Sequence, residues 1–119
     1  ITMNAILCIA DPHMTGVGGD CFAMLSIDGS TNIKALNGSG KASSHAKAIN
    51  LRKKNISVIR AEIPDAIPIP GAVAAWSLLH KEYGYIPWKE LFKLPSNYAQ
   101  EGIKVHERVA LDWSKNIEK

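Results

Sequence analysis

The chain is short of cysteine, of aromatic side chains and of any large excess of charge. Cys8 and Cys21 are its only cysteines. Two cysteines do not make a disulfide framework. The four histidines, His13, His45, His80 and His106, are scattered without metal-ligand spacing, so no metal site is expected. Both cysteines read as small core residues. Aromatics make up 7% of the chain and the net charge is +3, with the basic residues not interleaved with aromatics; a nucleic-acid partner is therefore not expected. Lys34, Lys41, Lys47, Arg52, Lys53 and Lys54 fall close together and read as a solvated face. No apolar run is long enough to span a membrane. Ile1 to Ala10 lacks the charged start and small-residue cleavage site of a signal peptide. The compartment, cytoplasmic, periplasmic or extracellular, is left open.

What the chain does have is a composition suited to a globular protein, 46% hydrophobic over 119 residues, which is one domain's worth at most. Its first residues lie inside a helix-like apolar segment with no cap, and Asn116 to Lys119 end inside a helical pattern with no glycine stop. These features lead us to expect that residues 1–119 are a fragment of a single larger domain.

Along the chain, Ile1 to Ala10 reads as the last turns of a buried helix, ended by Asp11-Pro12 because the residue before proline is pushed out of the α region. A turn with Gly16, Gly18 and Gly19 follows, and glycine lets a backbone or ligand approach closely. Cys21 to Ile27 is apolar on both parities and reads as a strand covered on both faces. Asp28 to Thr31 is a turn, Asn32 to Leu36 a hairpin partner, and Asn37-Gly38-Ser39-Gly40 a break. Ser44 is placed to cap a helix over about Ala46 to Lys53. Ile56 to Pro70 reads as extended, because Pro64, Pro68 and Pro70 bar regular structure. A helix from Gly71 sets Val73, Trp76, Leu79 and Tyr83 on one face and stops at Gly84. Pro87 starts another helix that Pro95 breaks or kinks and Gly102 ends. A last helix, with His106 placed as its cap, carries Val109, Trp113 and Ile117 at i, i+4 and i+8.

Several motifs are excluded by context. Gly16-Val17-Gly18-Gly19 is not a dinucleotide fingerprint, since that motif follows a strand and opens a helix. Gly38-Ser39-Gly40-Lys41-Ala42-Ser43 lacks the leading glycine of a phosphate loop, Ala35 standing there, and has Ala42 where Ser or Thr is needed. No serine sits in a nucleophile elbow. His13 is read as a structural hydrogen-bonding residue and His80 as a rim residue. The residues by themselves offer no catalytic set.

Three segments in order resemble the γ-glutamyltranspeptidase family. Asp11 to Phe22 resembles its Pro-His-x-x-Gly-x-Gly-Gly turn near the start of the large subunit. Ala35 to Ala42 sits where the family has a second strand and a substrate-binding loop. Ile69-Pro70-Gly71-Ala72-Val73-Ala74-Ala75-Trp76, with Tyr83-Gly84, Pro87-Trp88 and Ala99-Gln100-Glu101-Gly102, resembles its Pro-Gly-(Thr/Ala)-Val helix and the two that follow. The resemblance implies an α+β fold: part of an N-terminal-nucleophile hydrolase αββα sandwich, here several helices plus a central β-hairpin. It implies self-cleavage into two subunits, with the new N-terminal threonine of the small subunit as nucleophile and its own amine as base, and no cofactor. That threonine is not in this chain, which looks like the early part of the large subunit. Its partners would be the remainder of the large subunit, the small subunit and a γ-glutamyl or other acyl-amide substrate. Alone, the 119 residues are expected to be inactive.

One departure bears on substrate. Where classical transpeptidases of the family read Asp-x-Arg-Glu, this chain reads Asn37, Gly38, Ser39 and Gly40. Ser39 stands in place of the arginine that the resemblance implies as the clamp on the substrate α-carboxylate. A hydroxyl cannot make the bidentate, charge-assisted contact of a guanidinium. Asn-Gly-Ser-Gly before a basic residue resembles a transpeptidase-like branch that includes cephalosporin-acylase relatives. Ser39 and Lys41 are the expected substrate-binding residues, and Gly16, Gly18 and Gly19 a structural turn. A non-catalytic relative, acting as a binding or structural subunit, is the alternative.

Overall fold

The computed structural model describes residues 1–60 and 63–117. Ala61 and Glu62, inside the stretch expected to be extended, and Glu118 and Lys119, at the expected helical end, lie outside the described residues. The chain forms two compact units, one of residues Ile1–Gly16 with His80 onward, the other of Val17–Leu79.

In the first unit, α1 (Thr2–Ala10) packs against α4 (Lys93–Glu101) and the 3₁₀ turn Trp88–Phe92 that precedes it. Ala5 is the buried residue of α1, while Met3 is 75% exposed, so the expected all-round burial of this helix is not met within these residues. It ends where expected: the Asp11 N–H bonds the Leu7 carbonyl at 2.8 Å and Pro12 follows. Pro87 does not start an α-helix directly; it precedes the 3₁₀ turn, in which Trp88 and Phe92 meet edge to face at 5.0 Å. Nor does Pro95 fall in the interior of α4. It is the third residue of that helix, where the missing N–H is one of the donors left unpaired in any case. Gly102 takes a φ of 91° at the C-cap. His80 fixes the loop between, its Nε2–H donating to the Ile86 carbonyl at 2.7 Å and its ring lying edge-on to Trp88.

Helix α5 (Glu107–Ser114) starts as expected, with His106 Nδ1 accepting from the Arg108 N–H at 3.2 Å. Its apolar stripe is shorter than expected. Val109 is buried, but the helix stops before Ile117, which is 80% exposed. Trp113 instead donates its indole N–H to His13 Nδ1 at 3.2 Å, which gives His13 the structural hydrogen bond expected of it. The Asp11 carboxylate lies 3.0 Å from the same nitrogen, and Asp112 lies 3.7 Å from His13 Nε2.

Arg108 Nε donates to Asp112 Oδ2 at 2.8 Å across one turn of α5. This hydrogen bond holds the Asp112 carboxyl below the usual carboxylate range. A depressed folded-state pKa adds stability above the ordinary aspartate range and loses it as pH falls through the folded value. Arg108→Ala is therefore expected to move the Asp112 midpoint upward, read by carbon-detected NMR titration of its carboxyl. An unmoved midpoint would contradict the pairing.

In the second unit, β1 (Cys21–Ser26) and β2 (Ile33–Gly38) form an antiparallel hairpin, Cys21 opposite Gly38 and Ser26 opposite Ile33. Asp28 and Gly29 have φ of 52° and 70°, and the Ser30 N–H bonds the Ile27 carbonyl at 2.9 Å. Positive φ at both central positions defines a type I′ turn, whose twist suits a hairpin. The expected break at Asn37-Gly38 is not there: β2 runs through both residues because they complete the ladder opposite Phe22 and Cys21. One sheet face is half-buried, with Cys21, Ala23, Leu25, Leu36 and Gly38 on it. The other is bare in this chain, with Phe22 68% and Met24 77% exposed. Covering on both faces is thus not met within these residues.

Helix α2 (Ala48–Lys53) begins later than expected, and Ser44 does not cap it; its N-cap is Lys47, without a side-chain bond. Among its described residues, the stretch after α2 holds one 3₁₀ turn, Pro64–Ala66. Helix α3 (Ala72–Tyr83) buries Trp76 and half-buries Leu79 and Tyr83 as expected, but Val73 is 43% exposed and Ala72 and Ala75 are buried in its stead. The small alanines, weak as hydrophobic signals, allow this closer approach. Cys8 and Cys21 are free and only half-buried.

Candidate functional site

The second unit brings together two loops far apart in sequence. The loop after β2, residues 38–41, crosses the segment Pro68–Ala72 that leads into α3. Backbone bonds fix the crossing. The Ile69 N–H donates to the Lys41 carbonyl at 2.9 Å, and the N–H groups of Gly71 and Ala72 donate to the Gly19 carbonyl at 3.0 and 2.9 Å. The glycine turn therefore supplies the acceptor for the first donors of α3, which would otherwise be unpaired.

Two glycines make the crossing possible. A β-carbon on Gly40 would run into the Ile69 carbonyl oxygen, and one on Gly71 into the Gly38 carbonyl oxygen. By contrast, a β-carbon on Gly18 would meet nothing within 4 Å. Gly16, Gly18 and Gly19 do not have left-handed φ values; among the described residues the glycines that do are Gly29 and Gly102. Gly38 is tight as well, a β-carbon there running into Cys21 and Ala75, so the steric demand extends along this loop while Gly18 is open.

The loop is also tied by side chains. Asn37 Oδ1 accepts from the Ser39 N–H at 3.0 Å, and Asp20 Oδ1 accepts from the Gly40 N–H at 2.6 Å. Ser39 is exposed and lies on an open depression of about 200 Å³, lined also by Leu36, Asn37, Gly71, Ala74 and Leu78. Lys41 is exposed and does not line it. Among the described residues Ser39 Oγ bonds no histidine or lysine that would activate it as a nucleophile. Sequence marks Asp20 only as part of the glycine-turn motif and Gly71 only as a helix start within the Pro-Gly motif, neither as a site residue. The signal for Asp20 was its place, a short acceptor between the glycine turn and the first strand.

Among the described residues no group of three histidine, cysteine or acidic side chains is placed to hold a metal ion. No helix there is long and apolar enough to cross a membrane.

A family model described as gamma-glutamyltranspeptidase matches residues 1–119. The "Glutathione hydrolase-like YwrD proenzyme" of Bacillus subtilis is 32% identical over 118 residues, which is 99% of this chain and 22% of that protein. Human "Glutathione hydrolase 6" is 31% identical over 110 residues, 91% of this chain and 18% of that protein. The chain thus spans about a fifth of the length of these curated relatives. The solved structure of γ-glutamyltranspeptidase from Pseudomonas nitroreducens, complexed with L-DON, is similar with a TM-score of 0.83 at 24% identity, over 98% of this chain and 35% of that one. The Bacillus anthracis transpeptidase CapD gives a TM-score of 0.70 at 21% identity, over 98% and 36%. At these identities the two structures speak for the fold alone. With the family model matched from the first residue to the last, the chain belongs to the γ-glutamyltranspeptidase family.

Proposed function

We propose that residues 1–119 are the early part of the large subunit of a γ-glutamyltranspeptidase-like amidohydrolase or acyltransferase acting in glutathione or related acyl-amide metabolism. The observation that carries this is the family match over the whole chain. The bare hairpin face of Phe22 and Met24 supports it, since a two-stranded ribbon with an open apolar face belongs inside a larger layered fold. In this reading the 119 residues are one portion of an αββα domain, completed by the rest of the large subunit and by the small subunit.

The chemistry follows from an N-terminal threonine on the small subunit. Its Oγ attacks the substrate amide carbonyl while its own α-amine takes the hydroxyl proton. The leaving amine departs with that proton and an acyl ester remains on the threonine. Water, or an acceptor amine, then attacks the ester, and the acyl group leaves as acid or new amide. Donors in the small subunit stabilise the oxyanion. This chain contributes binding: Ser39, at the depression, and Lys41 face the acyl end of the substrate. Lacking a guanidinium at position 39, the enzyme takes a γ-glutamyl group weakly. The experiment is mass analysis of the purified full-length product, which divides into two chains in this reading and stays whole if the reading is wrong.

A further inference from the structure

We infer that Asp20 is a positioning residue for the acyl-binding loop, acting through the Gly40 N–H. The inference rests on the functional reading above, in which Ser39 and Lys41 meet substrate. The loop from Asn37 to Lys41 leaves the sheet at Gly38, where β2 ends. Beyond that point the ladder no longer directs it. Three contacts replace the ladder: the Asn37 side chain on the Ser39 N–H, the Asp20 side chain on the Gly40 N–H, and the Ile69 N–H on the Lys41 carbonyl.

These contacts differ in kind. The Asn37 bond is local, between residues two apart, and turns the chain without fixing it to anything. The Ile69 bond holds the far end at Lys41. Asp20 alone connects the loop by a side chain to the start of β1, twenty residues away in sequence, and at 2.6 Å it is the shortest of the three. Gly40 lies between the two expected contact residues, so the height of its N–H above the strand sets where Ser39 and Lys41 present themselves. Asp20 touches no substrate in this arrangement. It sets the geometry of residues that do, and misplacement by about 1 Å is enough to cost binding or rate.

The test uses full-length protein and three forms: wild type, Asp20→Ala and Asp20→Asn. Asparagine keeps an Oδ1 acceptor at the same reach without the charge. With a γ-glutamyl anilide as donor, Asp20→Ala is expected to raise donor KM about tenfold while kcat stays within about twofold. The KM of an acceptor amine stays unchanged. Asp20→Asn is expected to recover most of the loss. In parallel, amide hydrogen exchange at Gly40 is expected to be faster in Asp20→Ala than in the other two forms. A folded Asp20→Ala protein with wild-type donor KM overturns the inference, while the functional reading stands because the wild type turns over. Failure of Asp20→Asn to recover also overturns it, since charge and not the hydrogen bond would then be acting. A wild type that neither cleaves itself nor turns over donor sinks the functional reading, and the inference with it.

Discussion

Gly40→Ala is expected to destabilise the full-length protein by about 3 kcal/mol or more, at the upper end of what overpacking costs. The added β-carbon would land on the Ile69 carbonyl oxygen, and neither partner can swing aside as a side chain would. Ile69 is held by its own N–H bond to the Lys41 carbonyl, and Gly40 by its bond to Asp20. Relief therefore means breaking the crossing. Gly71→Ala meets the Gly38 carbonyl oxygen in the same way and should behave alike. Gly18→Ala is the control. It adds a methyl to open space at a position without a left-handed φ, and restricting the unfolded chain stabilises by about 0.4–1 kcal/mol at compatible sites. Urea unfolding midpoints of the three variants decide the matter. Equal midpoints for Gly40→Ala and Gly18→Ala would show that the crossing is not tight.

The contrast between these glycines shows what sequence can and cannot reveal. Gly16, Gly18 and Gly19 stand together and are conspicuous. Gly40 and Gly71 stand apart, and only the fold sets their loops against each other. Local signals suffice where a single residue decides: Asp11-Pro12 ends α1, His106 caps α5 and Asp28-Gly29 turns the hairpin. They do not suffice where packing decides. In α3 the expected face holds at Trp76, Leu79 and Tyr83, but at its start the small Ala72 and Ala75 turn inward, where periodicity alone favours the larger Val73. Asn37 and Gly38 have weak strand preference but finish β2, since the partners Phe22 and Cys21 offer a ladder. Pro95 looked like a break because its place in the first turn of α4 was not visible until the 3₁₀ turn before it was known. Of the site, Ser39 and its loop were legible through the family pattern. Asp20 was not, because its bond spans separate elements.

Ser39→Arg is expected to raise kcat/KM for a γ-glutamyl anilide by about tenfold. One hydrogen bond to a charged group is worth about 1.5–3 kcal/mol, and about 1.4 kcal/mol is a factor of ten. We take the lower figure because Ser39 is exposed and water competes. Its backbone is already fixed by Asn37 and by Gly40, so the new side chain starts from a defined point. Ser39→Lys should gain less, because an ammonium offers a point charge and not a planar fork. A folded Ser39→Arg enzyme with no gain would show that position 39 does not meet the substrate carboxylate.

Both variants presuppose that this chain is one portion of a self-cleaving enzyme. Mass spectrometry of the purified full-length protein, with N-terminal sequencing of each product, tests that claim most directly. Two chains are expected whose masses add up to that of the precursor plus one water, since the cleavage is a hydrolysis. The larger contains residues 1–119, and the smaller begins with threonine. A single uncut chain, or a smaller chain that begins with a residue unable to act as nucleophile, would contradict it.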